Sequence, residues 1–341
     1  MTMQHELSVL ITGGAIAPEA TALLEERRCK THYVDFYASS EELADVASRY
    51  RVDAILVRSG TVSSKVIDAS DRLRVIAKHG SGVDNIDLAA ASRRGVPVLR
   101  AVAANARAVA EHAFALMGCL LKDIPTLDRQ VRGGVWPKAT FRGNDIAGSV
   151  LGIIGYGQIG RHMEQMATSF GMQVLVYDPL APREFERAGV RRVDDLDELL
   201  QASDAVSLHC PLTDTTRHLI NRDRLARMKS SAILINTARG GLVDEVALCQ
   251  ALLGGVIAGA GLDSFEQEPP RPDNPLWALP NVVVTPHVGG VTRGALRQMG
   301  LQAVRHILHV SDGHAPDPEC VANPRYADAA MAATANEPRD A

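Results

Sequence analysis

Two doubly wound α/β domains, each a mainly parallel sheet with helices on both faces, are predicted for this chain. Three observations predict them. At 341 residues the chain is too long for one ordinary core. Short apolar runs alternate with helical patterns in two successive series. In the second series, each apolar strand runs directly into a glycine or a polar residue at its C-terminal end.

The first series has strand-like runs at Leu7–Thr12, His32–Tyr37, Ala54–Arg58, Arg74–Lys78 and Val96–Arg100. Helical patterns fall between them at 17–28, 40–50 and 87–94. Gly13-Gly14 reads as a turn. A long helix is predicted over 106–124, with Val109, Ala113, Leu116, Met117, Leu120 and Leu121 on one face. The second series has strands at Val150–Ile154, Gln173–Tyr177, Ala205–His209, Ala232–Asn236, Val256–Leu262 and Val282–Thr285. A helix over about 292–310 follows, and from Ala327 the composition reads as a loose tail.

Apolar residues make up 46% and charged residues 22%, which excludes wholesale disorder. The formal net charge of −4 offers no basic field, so neither nucleic acid nor a membrane surface is an expected partner. A small anionic ligand would need local cations. Cys29, Cys119, Cys210, Cys249 and Cys320 are odd in number and widely spaced, with no CxxC. Reduced thiols in a cytoplasmic protein are expected, with neither disulfides nor a metal site. His306 and His309 lack a third ligand and read as surface or dimer contacts. No signal peptide is expected. The apolar stretches at 109–121 and 246–262 are interrupted by Glu111 and His112, or by Gln250 and glycines, so no membrane span is expected.

Gly155-Tyr-Gly157-Gln158-Ile159-Gly160 is a GxGxxG. Alone it is a weak signal, because chance gives about 0.2 such matches in a chain with this glycine content. Its context strengthens it. It follows the strand Val150–Ile154 and opens a helix whose face is Ile159, Met163, Met166 and Phe170, ending at Gly171. The next strand ends in Asp178, 23 residues after Gly155. The first glycine permits a tight turn, the second lets backbone approach a pyrophosphate, and the third lets helix pack on strand. A carboxylate at Asp178 accepts bonds from a ribose 2′-OH and repels a 2′-phosphate, so NAD is favoured over NADP.

The other strand ends are Cys210-Pro211, Asn236-Thr237-Ala238-Arg239, Asp263 and His287. Ligands of open parallel sheets bind at the carboxyl ends of strands, so these positions describe a lined cleft. Arg239 can hold a carboxylate bidentately. His287 is a candidate proton carrier, and Glu268 a candidate partner for it.

These stretches resemble the D-isomer-specific 2-hydroxyacid dehydrogenase family. The resemblance rests on Gly80-Ser-Gly-Val-Asp-Asn85, Leu151–Gly160, His209-Cys-Pro-Leu212, Ile235–Asp244, Gly261-Leu-Asp-Ser-Phe265, Glu268-Pro269 and Thr285-Pro-His287. It spans about 55 to 325, and the phosphoglycerate dehydrogenase branch is nearest. It implies a Rossmann NAD-binding domain, 105–291, inserted in a flavodoxin-like substrate domain, 1–104 with 292–326. The family's catalytic residues fall on Arg239, Glu268 and His287. Cofactor contacts fall on Gly155, Gly157, Gln158, Ile159, Gly160, Asp178, Cys210, Pro211, Thr237, Ala238, Asp263 and Gly289, with Asp263 facing the nicotinamide carboxamide. Substrate contacts fall on Arg58, Lys78, Gly80, Ser81 and Gly82. Lys138 falls near a further basic position of phosphoglycerate-type enzymes.

The resemblance implies an NAD-dependent oxidoreductase acting on a small anionic 2-hydroxy or 2-oxo acid, as a homodimer. Reduction of glyoxylate or hydroxypyruvate is the alternative. Formate oxidation is disfavoured, since that branch carries Gln at the position of Glu268. An NADH-sensing corepressor-like protein is a third reading, which no basic patch supports.

Overall fold

The computed structural model describes residues 6–328, so the expected tail lies, from 329 onward, outside the described residues. The chain divides into two units, Met1–Asn105 with Thr292–Ala341, and Ala106–Val291.

In the first unit, strands β1 (Ser8–Thr12), β2 (Lys30–Val34), β3 (Ala54–Val57), β4 (Val75–Lys78) and β5 (Val98–Arg100) alternate with helices α1 (Pro18–Glu26), α2 (Ser40–Arg49), α3 (Ser64–Asp68) and α4 (Leu88–Arg93). The sheet is parallel, in the order β2-β1-β3-β4-β5. Central strands of such a sheet are covered on both faces. Accordingly every residue of β1 and β3 is buried. Helix starts follow local chemistry. Ser39 and Glu42 form a capping box on α2, and the Asp87 carboxylate caps α4. The strand expected at His32–Tyr37 starts two residues earlier and ends three residues earlier, at Val34. The amides of Gly13 and Gly14 both donate to the Val34 carbonyl, which ends the pairing there. Phe36 and Tyr37 are therefore exposed.

The second unit contains α5 (Ala106–Leu121), α6 (Ile124–Arg132), β6 (Val150–Ile154), α7 (Gln158–Ser169), β7 (Gln173–Tyr177), β8 (Val190–Arg192), α8 (Leu196–Ala202), β9 (Ala205–Leu208), α9 (Arg222–Leu225), β10 (Ile233–Asn236), α10 (Glu245–Leu253), β11 (Gly259–Leu262) and β12 (Val282–Val284). Its seven strands are parallel, in the order β12-β11-β10-β9-β6-β7-β8. The chain runs outward from β6 to β8, then resumes on the other side with β9. The β6/β9 junction is thus the switch point where α/β sheets bind ligands.

Three expectations need correction here. The helix expected over 106–124 ends at Leu121, because Asp123 takes a left-handed conformation (φ 50°) ahead of Pro125 and a second helix starts at Ile124. Strand β11 starts at Gly259, not Val256, because the Val256 amide donates to the Ala251 carbonyl and closes the end of α10. The buried face of α7 is Gly160, Met163, Glu164 and Ala167, while Phe170 is exposed and packs tilted against Phe114, with ring centroids 4.8 Å apart.

The first unit is completed by α11 (Arg293–Ser311). Its Ala303, Val304, Ile307 and Leu308 share one core with Val9, Ile11, Leu24, Leu56 and Leu99.

Candidate active site

In the second unit, β10, β11 and β12 are adjacent, and their C-terminal ends carry Arg239, Glu268 and His287. The turn after β10 is fixed by Asn236, whose side chain donates to the Arg239 carbonyl (2.8 Å) and accepts from the Ala238 amide (3.1 Å). Gly240 lets this turn touch the segment after β11. A Cβ there would lie 1.8 Å from the Phe265 carbonyl carbon, so no side chain fits. The Phe265 amide donates to Glu268 Oε1 at 3.0 Å, and His287 Nδ1 lies 2.7 Å from Glu268 Oε2. His287 itself has a left-handed backbone, φ 55°. Among the described residues its Nε2 has no partner, so that nitrogen is the one available to a ligand.

The electrostatics suit proton transfer. The hydrogen bond to Glu268 raises the His287 pKa, and the Glu268 charge adds to this against burial and the Arg239 guanidinium. Burial pushes the Glu268 carboxyl up, but its bonds from His287 and the Phe265 amide prevail, with Arg239 adding, and hold it low. Arg239 is therefore close enough to act on both partners. It also donates to the Ala238 carbonyl at 2.7 Å.

A buried carboxylate, Asp263, holds the chain just beyond His287. It accepts from the Val288 amide (2.9 Å), the Gly289 amide (2.7 Å) and the Thr285 hydroxyl (2.5 Å). Oδ1 takes two of these bonds and Oδ2 one, which leaves acceptor capacity on Oδ2.

The glycine loop lies at the switch point. Gly155 is left-handed (φ 94°), and a Cβ there would meet the Cys210 amide at 2.6 Å. Gly157 faces open space, and the first-turn amides of α7 follow from Gln158. Asp178 accepts from the Tyr156 amide (2.7 Å) and the Leu180 amide (2.8 Å), tying the end of β7 to the loop. Burial pushes the Cys210 thiol up to about 11, so it is a neutral thiol. Thr237 Oγ1, at the end of β10, is buried without a hydrogen-bond partner. An open glycine cradle, a helix N-terminus and an orphaned buried hydroxyl fit a dinucleotide.

In the first unit, Arg58 and Lys78 stand at the ends of adjacent strands β3 and β4. Arg58 Nη1 donates to the carbonyls of Gly13 (2.6 Å) and Ala15 (2.5 Å), and burial lowers its pKa. Lys78 donates to Asn85 at 2.8 Å, and Asn85 to the Gly60 carbonyl at 2.5 Å. Gly80 is buried, Gly82 half-buried and Ser81 exposed. Lys138 belongs to the second unit, on an exposed segment after α6.

Residue-by-residue reading of the sequence missed two groups. Tyr156 reaches beneath the glycine loop to Glu164, whose buried carboxylate also pairs with Arg187 at 2.5 Å. His112 of α5 lies 2.9 Å from Thr285. Its only sequence signal was that it interrupts an apolar stretch. Among the described residues no group of His, Cys, Asp and Glu is arranged to hold a metal, and no helix is long and apolar enough to cross a membrane.

Comparison with known proteins fits this geometry. The family model for the D-isomer specific 2-hydroxyacid dehydrogenase NAD binding domain matches residues 114–289. The chain is 44% identical over 263 residues to a D-3-phosphoglycerate dehydrogenase of Methanocaldococcus jannaschii, covering 76% of this chain and 50% of that one. It is 40% identical over 293 residues to a hydroxypyruvate reductase of Thermotoga maritima, covering 85% and 94%. A glyoxylate reductase structure from Paecilomyes thermophila superposes with a TM-score of 0.81 at 31% identity, covering 92% and 99%. The chain spans about half the length of the phosphoglycerate dehydrogenases it matches. With its own motifs at the strand ends and these relatives beside it, the chain belongs to the D-isomer specific 2-hydroxyacid dehydrogenase family.

Proposed function

We propose that the protein is an NAD-dependent oxidoreductase that interconverts a small D-2-hydroxy acid and its 2-oxo acid. The observation that carries this reading is the Arg239, Glu268 and His287 group on three neighbouring strand ends, with His287 Nδ1 2.7 Å from Glu268 Oε2. Bound NAD(H) supplies or accepts the hydride at C2. Gly155, Gly157, Gly160, Gln158 and Ile159 would hold its pyrophosphate, Asp178 the ribose hydroxyls, and Cys210, Pro211, Thr237, Ala238, Asp263 and Gly289 the remainder. Arg239 takes the substrate carboxylate and polarises the 2-oxo group. His287, held protonated by Glu268, gives the Nε2 proton to the carbonyl oxygen in reduction and takes the hydroxyl proton in oxidation. Nδ1 stays bonded to Glu268 throughout, which fixes the ring.

The raised His287 pKa sets the sign of the pH dependence. Reduction needs the imidazolium, so its rate falls as pH rises through a value above 6.5, and oxidation gains over the same range. Glu268→Gln should move both limbs to lower pH, which pH–rate profiles in the two directions would read.

The acid resembling 3-phosphoglycerate is the first candidate, with glyoxylate or hydroxypyruvate as the alternative. Supporting the first are the relatives of that name and the cations Arg58 and Lys78, with the loop Gly80-Ser81-Gly82, proposed as substrate contacts. A homodimer is proposed through the second unit. Its α6 buries none of its residues, and Ile124, Val131, Val135 and Trp136 are exposed there. A cytoplasmic location is proposed from the five free thiols. The deciding experiment is NADH oxidation by the purified chain with glyoxylate, hydroxypyruvate and 3-phosphohydroxypyruvate, ranked by kcat/KM. Absence of turnover with all three, despite NADH binding, would defeat the reading.

A further inference from the structure

His112 lies outside the residues assigned so far. It sits on α5 of the second unit with only part of its side chain reaching solvent, and its Nε2 is 2.9 Å from Thr285 Oγ1 and 3.5 Å from Asp263 Oδ1. The proton order along this chain follows from donor inventory. An ionised carboxylate only accepts, so the Thr285 hydroxyl, 2.5 Å away, donates to Asp263. Its remaining lone pairs then accept from His112 Nε2–H, which selects the tautomer. The run is His112 Nε2–H to Thr285 Oγ–H to Asp263 Oδ1, and bonds aligned in this way polarise one another.

Asp263 in turn accepts the amides of Val288 and Gly289, the two residues immediately after His287. Thr285 lies two residues before it, and its carbonyl accepts the His287 amide at 3.0 Å. The left-handed backbone of His287 is thus anchored on both sides. Such a conformation is unfavourable in a non-glycine residue and persists only where its surroundings over-determine it. Packing adds to the anchor. A Cβ on Gly289 would lie 2.9 Å from Asp263 Oδ2 and 3.4 Å from His112 Cδ2.

We infer that His112 is a positioning residue, which acts through Thr285 and Asp263 to hold the 285–289 turn and so to aim the His287 imidazole. The inference rests on the proposed role of His287 as proton carrier. It does not require His112 to touch the substrate or to exchange a proton with it.

The test uses the full chain and five variants: Thr285→Val, Thr285→Ser, His112→Leu, His112→Gln and the Thr285→Val/His112→Leu double. Two readouts are taken, steady-state kcat and KM, and the titration of the His287 ring protons by NMR. Thr285→Val and His112→Leu should each lower kcat by about tenfold and move the His287 titration, with substrate KM little changed. Thr285→Ser and His112→Gln keep a donor in place and should recover most of the loss. The double variant should be no worse than the more impaired single, because both break one chain. Wild-type kcat with an unmoved titration in either single, or multiplicative losses in the double, would overturn the inference. Should a valine or leucine variant not fold, Thr285→Ala and His112→Ala remove the same donors with smaller side chains, and an unmoved His287 titration in both would overturn the inference equally. A wild-type chain that turns over none of the oxo acids would instead count against the functional reading, and the NMR titration would still judge the anchor.

Discussion

The two sheets are built alike, yet their strand ends do different work. In the five-stranded sheet, Arg58 grips the carbonyls of Gly13 and Ala15, and Lys78 grips Asn85, so these cations are positioned by backbone and amide groups. In the seven-stranded sheet, Arg239, Glu268 and His287 condition one another, and a fourth group, Asp263, fixes the turn that carries the histidine. One arrangement fixes where a charge sits, and in the other a carboxylate shifts the pKa of a histidine. A charge of fixed sign needs only a location, whereas an acid–base group needs a partner that sets its pKa.

The sharpest way to break this contrast is His287→Gln. It should lower kcat by about 10²–10⁴-fold while NADH affinity, measured by fluorescence, is kept. Retained turnover would mean that the seven-stranded sheet does not supply the proton. Next in size is Gly240→Ala, which forces the Arg239 turn away from Phe265. A fall in kcat of about 10²-fold is expected, with a destabilisation of about 1–3 kcal/mol seen in thermal melts. A variant as active and stable as wild type would show that the close approach is not needed.

Lys78→Ala should act differently, raising KM for 3-phosphohydroxypyruvate by about tenfold with kcat and the glyoxylate KM unchanged. Equal effects on both acids would remove the distinction between placing and tuning. The smallest effect concerns His79, beside Lys78 on the same sheet. Burial, aided by the Arg58 charge, lowers its pKa from 6.5 to about 4. A depressed histidine pKa means that stability is full above 6.5 and is lost as pH falls toward 4. His79→Leu should therefore lessen the drop in melting temperature between pH 7 and pH 4.5, by roughly 2–4 °C.

Much of this was legible in the sequence, for identifiable reasons. Strands β6 and β7 fall where their apolar runs and bounding glycines put them, because buried parallel strands must be continuously apolar. That Arg239, Asp263 and His287 follow strand ends was legible because each stands just past an apolar run. Short elements were not. The five residues of α3 and the three of β8 are too brief to show a period. The Val256 run looked like a strand because an apolar helix end and a strand start share one composition. His112 and Glu164 were invisible because their partners, Thr285 and Arg187, are brought to them by tertiary packing rather than by spacing. Phe170 was misread for a related reason. Its place on the helical wheel is right for burial, but it caps the helix and leaves the face.

The place of α11 in the first unit has a consequence for biosynthesis. The second unit is one unbroken segment, so a ribosome can release it ready to fold. The first is encoded on both sides of it, and Val9, Ile11 and Leu56 wait for Ala303, Val304 and Ile307 to be translated. Strands β1 and β3 are therefore synthesised well before their last cover, and their sheet can close only after the whole of the second unit has been made.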